Sequence, residues 1–305
     1  SLQLIFRELI GMSHKAGFVN IIGNPNVGKS TIMNTMVGER LSIITSKMQT
    51  TRHRIKGIVN GEDFQIVYSD TPGILKPGYK LQETMMKFVD TALIDADIIL
   101  YVTDVKEDPA KNSEYIDKIR KSAVPVIVLI NKIDLSNQEE VIRLYEYWLS
   151  VFPGAEVLPV SATENFNLKP ILEKIIELLP ENPPFFPKDE LTDRSERFFM
   201  QEIIREKILL TYQKEIPYST EVEVESFREE EGILRISGII YVERDSQKGI
   251  IIGKGGLALK RVGTMARQEA EEFFGRKIFL ELFVKVAKEW RNKESSLRKF
   301  GYEAE

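Results

Sequence analysis

The sequence contains no cysteine. That excludes a disulfide framework and any zinc site built on thiolates. No stretch approaches the roughly 18 uncharged apolar residues of a membrane-spanning helix. Positive charge is not in surplus: 42 Lys and Arg stand against 46 Asp and Glu, a net charge of −4. Bulk charge therefore does not announce nucleic-acid binding. Residues 1–11 lack the charged start, apolar centre and cleavage site of a secretory signal. They read as an extension ahead of Met12, with a short docking helix as the rival reading. There is no repeat of about 20–50 residues and no low-complexity tract. What remains is a composition normal for a folded protein, 43% hydrophobic over 305 residues. That length suffices for two domains, each with its own core.

Strand and helix signals alternate from residue 17 to about 180. Apolar runs at 18–22, 55–60, 64–69, 98–102, 126–130 and 157–160 read as strands. Helical segments at 82–94, 113–121, 139–150 and 168–179 lie between them. Apolar strands separated by helices imply a mostly parallel sheet covered on both faces. Asn60-Gly61 suits a tight hairpin and adds one antiparallel edge strand. Four prolines between residues 180 and 187 rule out helix or central strand there. Residues 181–195 thus read as a linker between a domain at 17–180 and a second at 196–305, behind a 1–16 extension. Ser195 suits the cap of a helix running to about Lys214. The second half reads helix, strand, strand, helix, helix, strand, helix, with strands near 220–228, 233–243 and 278–286.

Gly23, Asn24, Pro25, Asn26, Val27, Gly28, Lys29 and Ser30 fit the phosphate-loop pattern G-x-x-x-x-G-K-[ST] between a strand and a helix that continues through Thr31. Glycines let backbone N–H groups turn toward phosphates, and the helix N-terminus favours negative charge. Lys29 suits the β- and γ-phosphates, and Ser30 an oxygen ligand of Mg²⁺. Asp70, Thr71, Pro72 and Gly73 follow a strand end, where the aspartate can serve Mg²⁺ and Gly73 can meet a γ-phosphate. Asn131, Lys132 and Asp134 also follow a strand. The Asp134 carboxylate can accept from guanine N1–H and its exocyclic amine, where adenine has no donors, so the pattern selects GTP and GDP over adenine nucleotides. Ser161, Ala162 and Thr163 close the last strand and suit the guanine O6. Between the first helix and the hairpin, Gln49-Thr50-Thr51-Arg52 reads as the first switch. Thr51 is the favoured Mg²⁺ ligand and Thr50 stays open. Lys29, Thr51 and Gly73 are the candidates for catalysis. Ile74 follows Gly73 where many small GTPases carry a water-orienting glutamine, so slow intrinsic hydrolysis is expected.

In the second half, Gly253, Lys254, Gly255 and Gly256 form a G-x-x-G loop after Ile252. A helix follows, with Leu259, Val262, Ala266, Ala270 and Phe273 on one face. The segment resembles a type II KH domain, whose loop clamps about four nucleotides of single-stranded RNA. Residues 215–231 carry seven acidic side chains and one basic, whereas residues 248–299 carry thirteen Lys/Arg against six Asp/Glu. A near-neutral domain can thus present one basic face. Lys254, Lys260, Lys285, Lys288 and Arg291 are the candidate phosphate contacts.

One GTPase domain, a proline-rich linker and a KH domain reading Ile-Ile-Gly-Lys-Gly-Gly together resemble the Era family of GTPases, over about residues 15–300. The resemblance implies an α/β P-loop GTPase domain followed by an α+β type II KH domain. It implies GTP/GDP and Mg²⁺ as cofactors and low intrinsic turnover. It further implies binding near the 3′ end of 16S ribosomal RNA, a role in 30S subunit assembly and a GTP-favoured RNA-binding state. The expected protein is cytoplasmic and monomeric, with peripheral association at the inner membrane face. Two rivals are a constitutive RNA binder with a structural G domain and a membrane-surface GTPase. Intact Lys29, Ser30, Asp70 and Asp134 argue against the first. The second lacks a strong amphipathic anchor at residues 1–11 or in the basic C-terminal helix.

Overall fold

The computed structural model describes residues 13–303. The reading of residues 1–11 falls outside them. Two compact units are present. The first comprises the chain up to Ser42 with Thr51–Lys76 and Met85–Asp193. The second comprises Ile43–Thr50, Pro77–Thr84 and Arg194–Glu305.

The first unit is built from β1 (Lys15–Gly23), α1 (Lys29–Val37), β2 (Ile55–Asn60), β3 (Phe64–Asp70), α2 (Lys80–Ile94), β4 (Ile98–Asp104), α3 (Ser113–Lys121), β5 (Val126–Asn131), α4 (Gln138–Val151), β6 (Glu156–Pro159) and α5 (Leu168–Leu178). The first residues of α2 count with the second unit. The sheet order is β2-β3-β1-β4-β5-β6. Every neighbouring pair is parallel except β2 with β3. Strand β4 is buried along its whole length, as a strand covered on both faces must be. The register sets Ile21 beside Asp70 and Asp104 beside Asn131, so the polar strand ends gather at one edge. The hairpin from β2 to β3 pairs Asn60 with Gln65, and its connection takes in residues 61–63.

The proline-rich stretch is not a free linker. The Leu191 carbonyl accepts from Ile58 N–H at 2.8 Å. Thr192 Oγ1 donates to the Lys56 carbonyl at 2.7 Å, and Gln65 Nε2 to the Phe186 carbonyl at 2.8 Å. Prolines cannot donate to a ladder, but carbonyls between them still accept. The segment therefore covers the open edge of β2, which would otherwise expose unpaired backbone.

The second unit contains α6 (Glu196–Thr211), β7 (Glu221–Glu230), β8 (Ile233–Val242), α7 (Asp245–Ile252), α8 (Leu257–Phe274), β9 (Lys277–Val286) and α9 (Glu294–Lys299). Strand β8 is central, antiparallel to β7 and parallel to β9. Ser195 Oγ caps α6 by accepting from Phe198 N–H. The helix ends at Thr211 because Tyr212 is extended. Ile204, Ile208, Ile240, Val262, Ala266 and Ala270 form a fully buried core. Phe273, grouped by spacing with Val262, Ala266 and Ala270, is 37% exposed, and its neighbour Phe274 packs against the core.

The two tryptophans divide between the units: Trp148 lies in the first and Trp290 in the second, both fully buried. Ala266→Leu adds three heavy atoms where no space exists and should destabilise the second unit by about 1–3 kcal/mol. With Trp148→Phe as background, the Trp290 fluorescence transition in urea should move to lower denaturant. An unmoved midpoint would contradict this packing.

Candidate functional site

The glycine-rich loop of the first unit begins at Gly23, where a Cβ would sit 2.1 Å from the Val102 carbonyl oxygen. Gly28 has φ +100°, and a Cβ there would lie 2.2 Å from Asn131 Nδ2. Only glycine gives the loop this path between its neighbours. Asn131 fills the space: its Nδ2 donates to the Val27 carbonyl at 2.8 Å, and its Oδ1 accepts from Ala162 N–H at 3.1 Å. One side chain thus ties the loops after β1, β5 and β6.

Lys29 is buried at the first turn of α1, with Nζ donating to the carbonyls of Gly23 (3.1 Å) and Asn24 (2.8 Å). Burial lowers its pKa from 10.5 to about 8, against opposing pulls from Asp70 and Glu107. Ser30 Oγ donates to Asp70 Oδ2 at 2.7 Å, and Thr51 Oγ1 to the same oxygen at 3.2 Å. The two hydroxyls are 3.0 Å apart. Thr50 faces elsewhere: its hydroxyl donates to the Lys47 carbonyl at 2.6 Å and meets Thr45 Oγ1 at 2.7 Å. Asp70 is fully buried, and burial pushes its carboxyl up. Its second oxygen, Oδ1, is buried without a hydrogen bond among the described residues. Two hydroxyls beside an incompletely satisfied buried carboxylate suit a hard divalent cation such as Mg²⁺. Thr71 is a structural member, donating to the Ile21 carbonyl at 2.7 Å. Pro72 leads into Gly73, where a Cβ would come within 2.7 Å of the Pro25 backbone.

Beyond the end of β5, Lys132 adopts φ 61° and its ammonium pairs with Asp104 Oδ2 at 2.6 Å and also donates to the Asn26 carbonyl. Asp134 is exposed, and its Oδ1 accepts from Ser161 Oγ at 2.6 Å. Ser161 and Ala162 are buried, whereas Thr163 is exposed. Asp104 was absent from the sequence-derived set. Its signal was the same as that of Asp70, a carboxylate closing an apolar strand.

In the second unit, Ile252 ends α7, and Gly253, Gly255 and Gly256 all take positive φ (71°, 59° and 76°). A Cβ on Gly253 would meet Ala258 Cβ at 2.6 Å. Exposed Lys254 sits in this turn, directly before α8. A groove of about 320 Å³ lies beside it, lined by Gly256, Leu259, Lys260, Gly263, Thr264, Arg267, Leu280 and Leu282. Gly263 and Arg267 were missed in the sequence, although they continue the Lys260 face at helical spacing. Not every basic candidate gathers there. Strand alternation puts Lys285 on the face opposite Leu280 and Leu282, 4.0 Å from Glu225. Arg291 is committed to Glu243 and lies 4.6 Å over the Tyr79 ring. Lys288 is exposed beyond β9. Of the five basic candidates, only Lys260 lines this groove, with Lys254 in the turn beside it.

Two family models match the chain: a 50S ribosome-binding GTPase over residues 18–132 and a KH domain over residues 215–291. GTPase Era of Staphylococcus epidermidis is 43% identical over 291 residues, covering 95% of this chain and 97% of that protein. The chain belongs to the Era family of GTPases. A crystal structure of a variant Aquifex aeolicus Era bound to GDP·AlF4⁻ superposes with a TM-score of 0.91 and 39% identity, covering 95% of this chain and 100% of that one. Era in complex with MgGDPNP and nucleotides 1506–1542 of 16S ribosomal RNA matches with the same TM-score, identity and coverage. The Era-like architecture is therefore that of a P-loop GTPase domain followed by a KH domain. Among the described residues, no helix is long and apolar enough to cross a membrane.

Two outcomes test the geometry. A phosphate anion beside buried Lys29 favours its charged form. At pH 7 the lysine is already protonated, but above about 8 it must take up a proton as nucleotide binds. Affinity for GDP should fall as pH rises from 7 to 9. Calorimetry at pH 8.5 in buffers of different ionisation enthalpy should show proton uptake that Lys29→Ala abolishes. Separately, Asn131→Ala removes both loop ties and should weaken GDP binding by about tenfold or more, each buried tie being worth roughly 1 kcal/mol. Near-wild-type GDP affinity in that variant would mean the loops hold without it.

Proposed function

We propose that this chain is a GTP-controlled switch that binds the 3′ end of small-subunit ribosomal RNA through its KH domain and acts in 30S subunit assembly. As a member of the Era family it is a GTPase that uses GTP, GDP and Mg²⁺. The observation that carries the RNA assignment is the near-full-length likeness to an Era held with MgGDPNP and a 16S ribosomal RNA segment. The glycine turn and groove beside Lys254 and Lys260 support it at the level of this chain's own residues.

In this reading Lys29 and the N–H groups of residues 24–30 hold the phosphates. Ser30, Thr51 and Asp70 supply oxygens toward Mg²⁺, which neutralises phosphate charge when bound. Asp134 reads the guanine, Asn131 fixes the loops, and the Lys132 stem covers the base. Thr51 is the switch threonine because its hydroxyl shares Asp70 Oδ2 with Ser30, whereas that of Thr50 is spent locally. Ile74, 2% exposed, has no polar group to orient water, so hydrolysis by the chain alone is slow. Burst turnover of tens per second by purified protein would contradict that.

Coupling to RNA has a physical route within the second unit. That unit includes Ile43–Thr50, the segment leading into Thr51. Arg205 on α6 is buried, paired with Glu202 at 2.6 Å, and donates to the carbonyls of Gln49 and Thr50. A nucleotide that orders Thr51 thereby acts on a segment gripped by a helix of the KH-containing unit. The protein works in the cytoplasm as a monomer, and vesicle co-sedimentation at physiological salt separates this from a membrane-surface role.

The test is crosslinking in cell extract with either GDPNP or GDP. Small-subunit ribosomal RNA should be recovered with GDPNP and be depleted with GDP. Equal recovery in both states would remove the switch and leave a constitutive RNA binder. Lys254→Ala should weaken binding of a 16S 3′-end fragment and make its salt dependence shallower by about one unit of slope.

A further inference from the structure

Beside the five motifs, a relay of polar side chains runs along the phosphate loop within the first unit. It starts at Thr103, whose hydroxyl donates to Glu107 Oε1 at 2.6 Å. Asn24 Nδ2 donates to Glu107 Oε2 at 2.8 Å. A carboxylate can only accept, so this bond turns the Asn24 amide with its oxygen facing away from Glu107. That oxygen accepts from Asn112 Nδ2, and Asn112 Nδ2 also donates to the Ile74 carbonyl at 3.3 Å. Asn112 stands just before α3 with φ 60°, a conformation asparagine tolerates better than most residues. Asn24 is buried at 1% exposure.

The relay ends on the segment that follows Asp70. Ile74 is held twice, by its own N–H to the Gly23 carbonyl at 3.1 Å and by Asn112 at its carbonyl. Gly73 lies so close to Pro25 that a Cβ has no room. The Gly73–Ile74 segment is thus stapled to the phosphate loop at three places. Asn112 is the one contact of the three that a side chain makes, and so the one that mutation can remove cleanly.

We propose that Asn112 is a positioning residue that latches Gly73–Ile74 onto the phosphate loop and so sets how strongly the site prefers a nucleoside triphosphate over a diphosphate. The inference rests on the nucleotide-site reading above. Lys29 and the glycine turn serve phosphates that both nucleotides carry. The Gly73 segment serves only the γ-phosphate. Loosening the latch therefore acts on one nucleotide and spares the other.

Two variants test this in the full chain. Asn112→Gly keeps the left-handed backbone without strain and deletes the side chain. Asn112→Asp keeps the size and the local conformation but has no N–H to donate. Affinities for fluorescent GDP and GDPNP, single-turnover GTP hydrolysis and melting temperature are measured for both. GDPNP affinity and the single-turnover rate should each fall about tenfold, the loss expected for removing one or two partly buried hydrogen bonds. In Asn112→Gly, GDP affinity should stay within about threefold, the hold on Asn24 being the only part of the latch that a diphosphate shares; the carboxylate of Asn112→Asp lowers both affinities, and there the ratio decides. An unchanged ratio of GDPNP to GDP affinity in both variants would overturn the latch. So would equal losses for both nucleotides, which indicate general damage to the site. Wild-type protein that bound neither nucleotide would overturn the site reading itself, and the latch with it.

Discussion

The amide of Asn131 occupies a space that exists only because Gly28 has no side chain. From there it holds the Val27 carbonyl on one side and the Ala162 N–H on the other. Three loops leave three different strands at this end of the sheet, and this one buried amide fixes their spacing. A glycine turn alone would be soft, and a lone amide would be an unsatisfied polar group. Together they give a rigid rim on which Lys29, Lys132 and Asp134 are presented at defined places.

Electrostatics add a second constraint. Lys29 and Asp70 are both buried, and desolvation works against the charge of each. Among the described residues neither is fully compensated: Lys29 reaches carbonyl oxygens, and Asp70 keeps one oxygen without a hydrogen bond. A phosphate beside the lysine and a cation beside the aspartate relieve both costs at once. The site is thus pre-organised at the expense of local stability, the usual arrangement where function requires strain to be stored.

The first unit was largely legible in the sequence. Apolar strands closing on glycine, aspartate or asparagine give both the sheet and the site, because a parallel sheet places its strand ends at one edge. The same rule would have found Asp104. The second unit was legible as a fold and as a glycine turn, whereas the partners of its basic side chains were not. Lys285 and Arg291 follow the turn in sequence, and each faces a carboxylate, Glu225 and Glu243 respectively. Linear charge counts do not encode that. The proline-rich stretch, read as a linker of limited flexibility, is also held by hydrogen bonds that its composition does not reveal. Proline forbids donation but not acceptance, so the Leu191 carbonyl binds the β2 edge at Ile58 and the Phe186 carbonyl takes the Gln65 side chain of β3.

The central claim is that nucleotide state and RNA affinity are coupled in one chain, and coupling must be reciprocal. The most direct measurement is the affinity for GDPNP and for GDP with and without a saturating fragment of the 16S ribosomal RNA 3′ end. The RNA should tighten GDPNP by the same factor by which GDPNP tightens the RNA, about fivefold or more, and leave GDP unchanged. RNA that leaves both affinities unchanged would contradict the account.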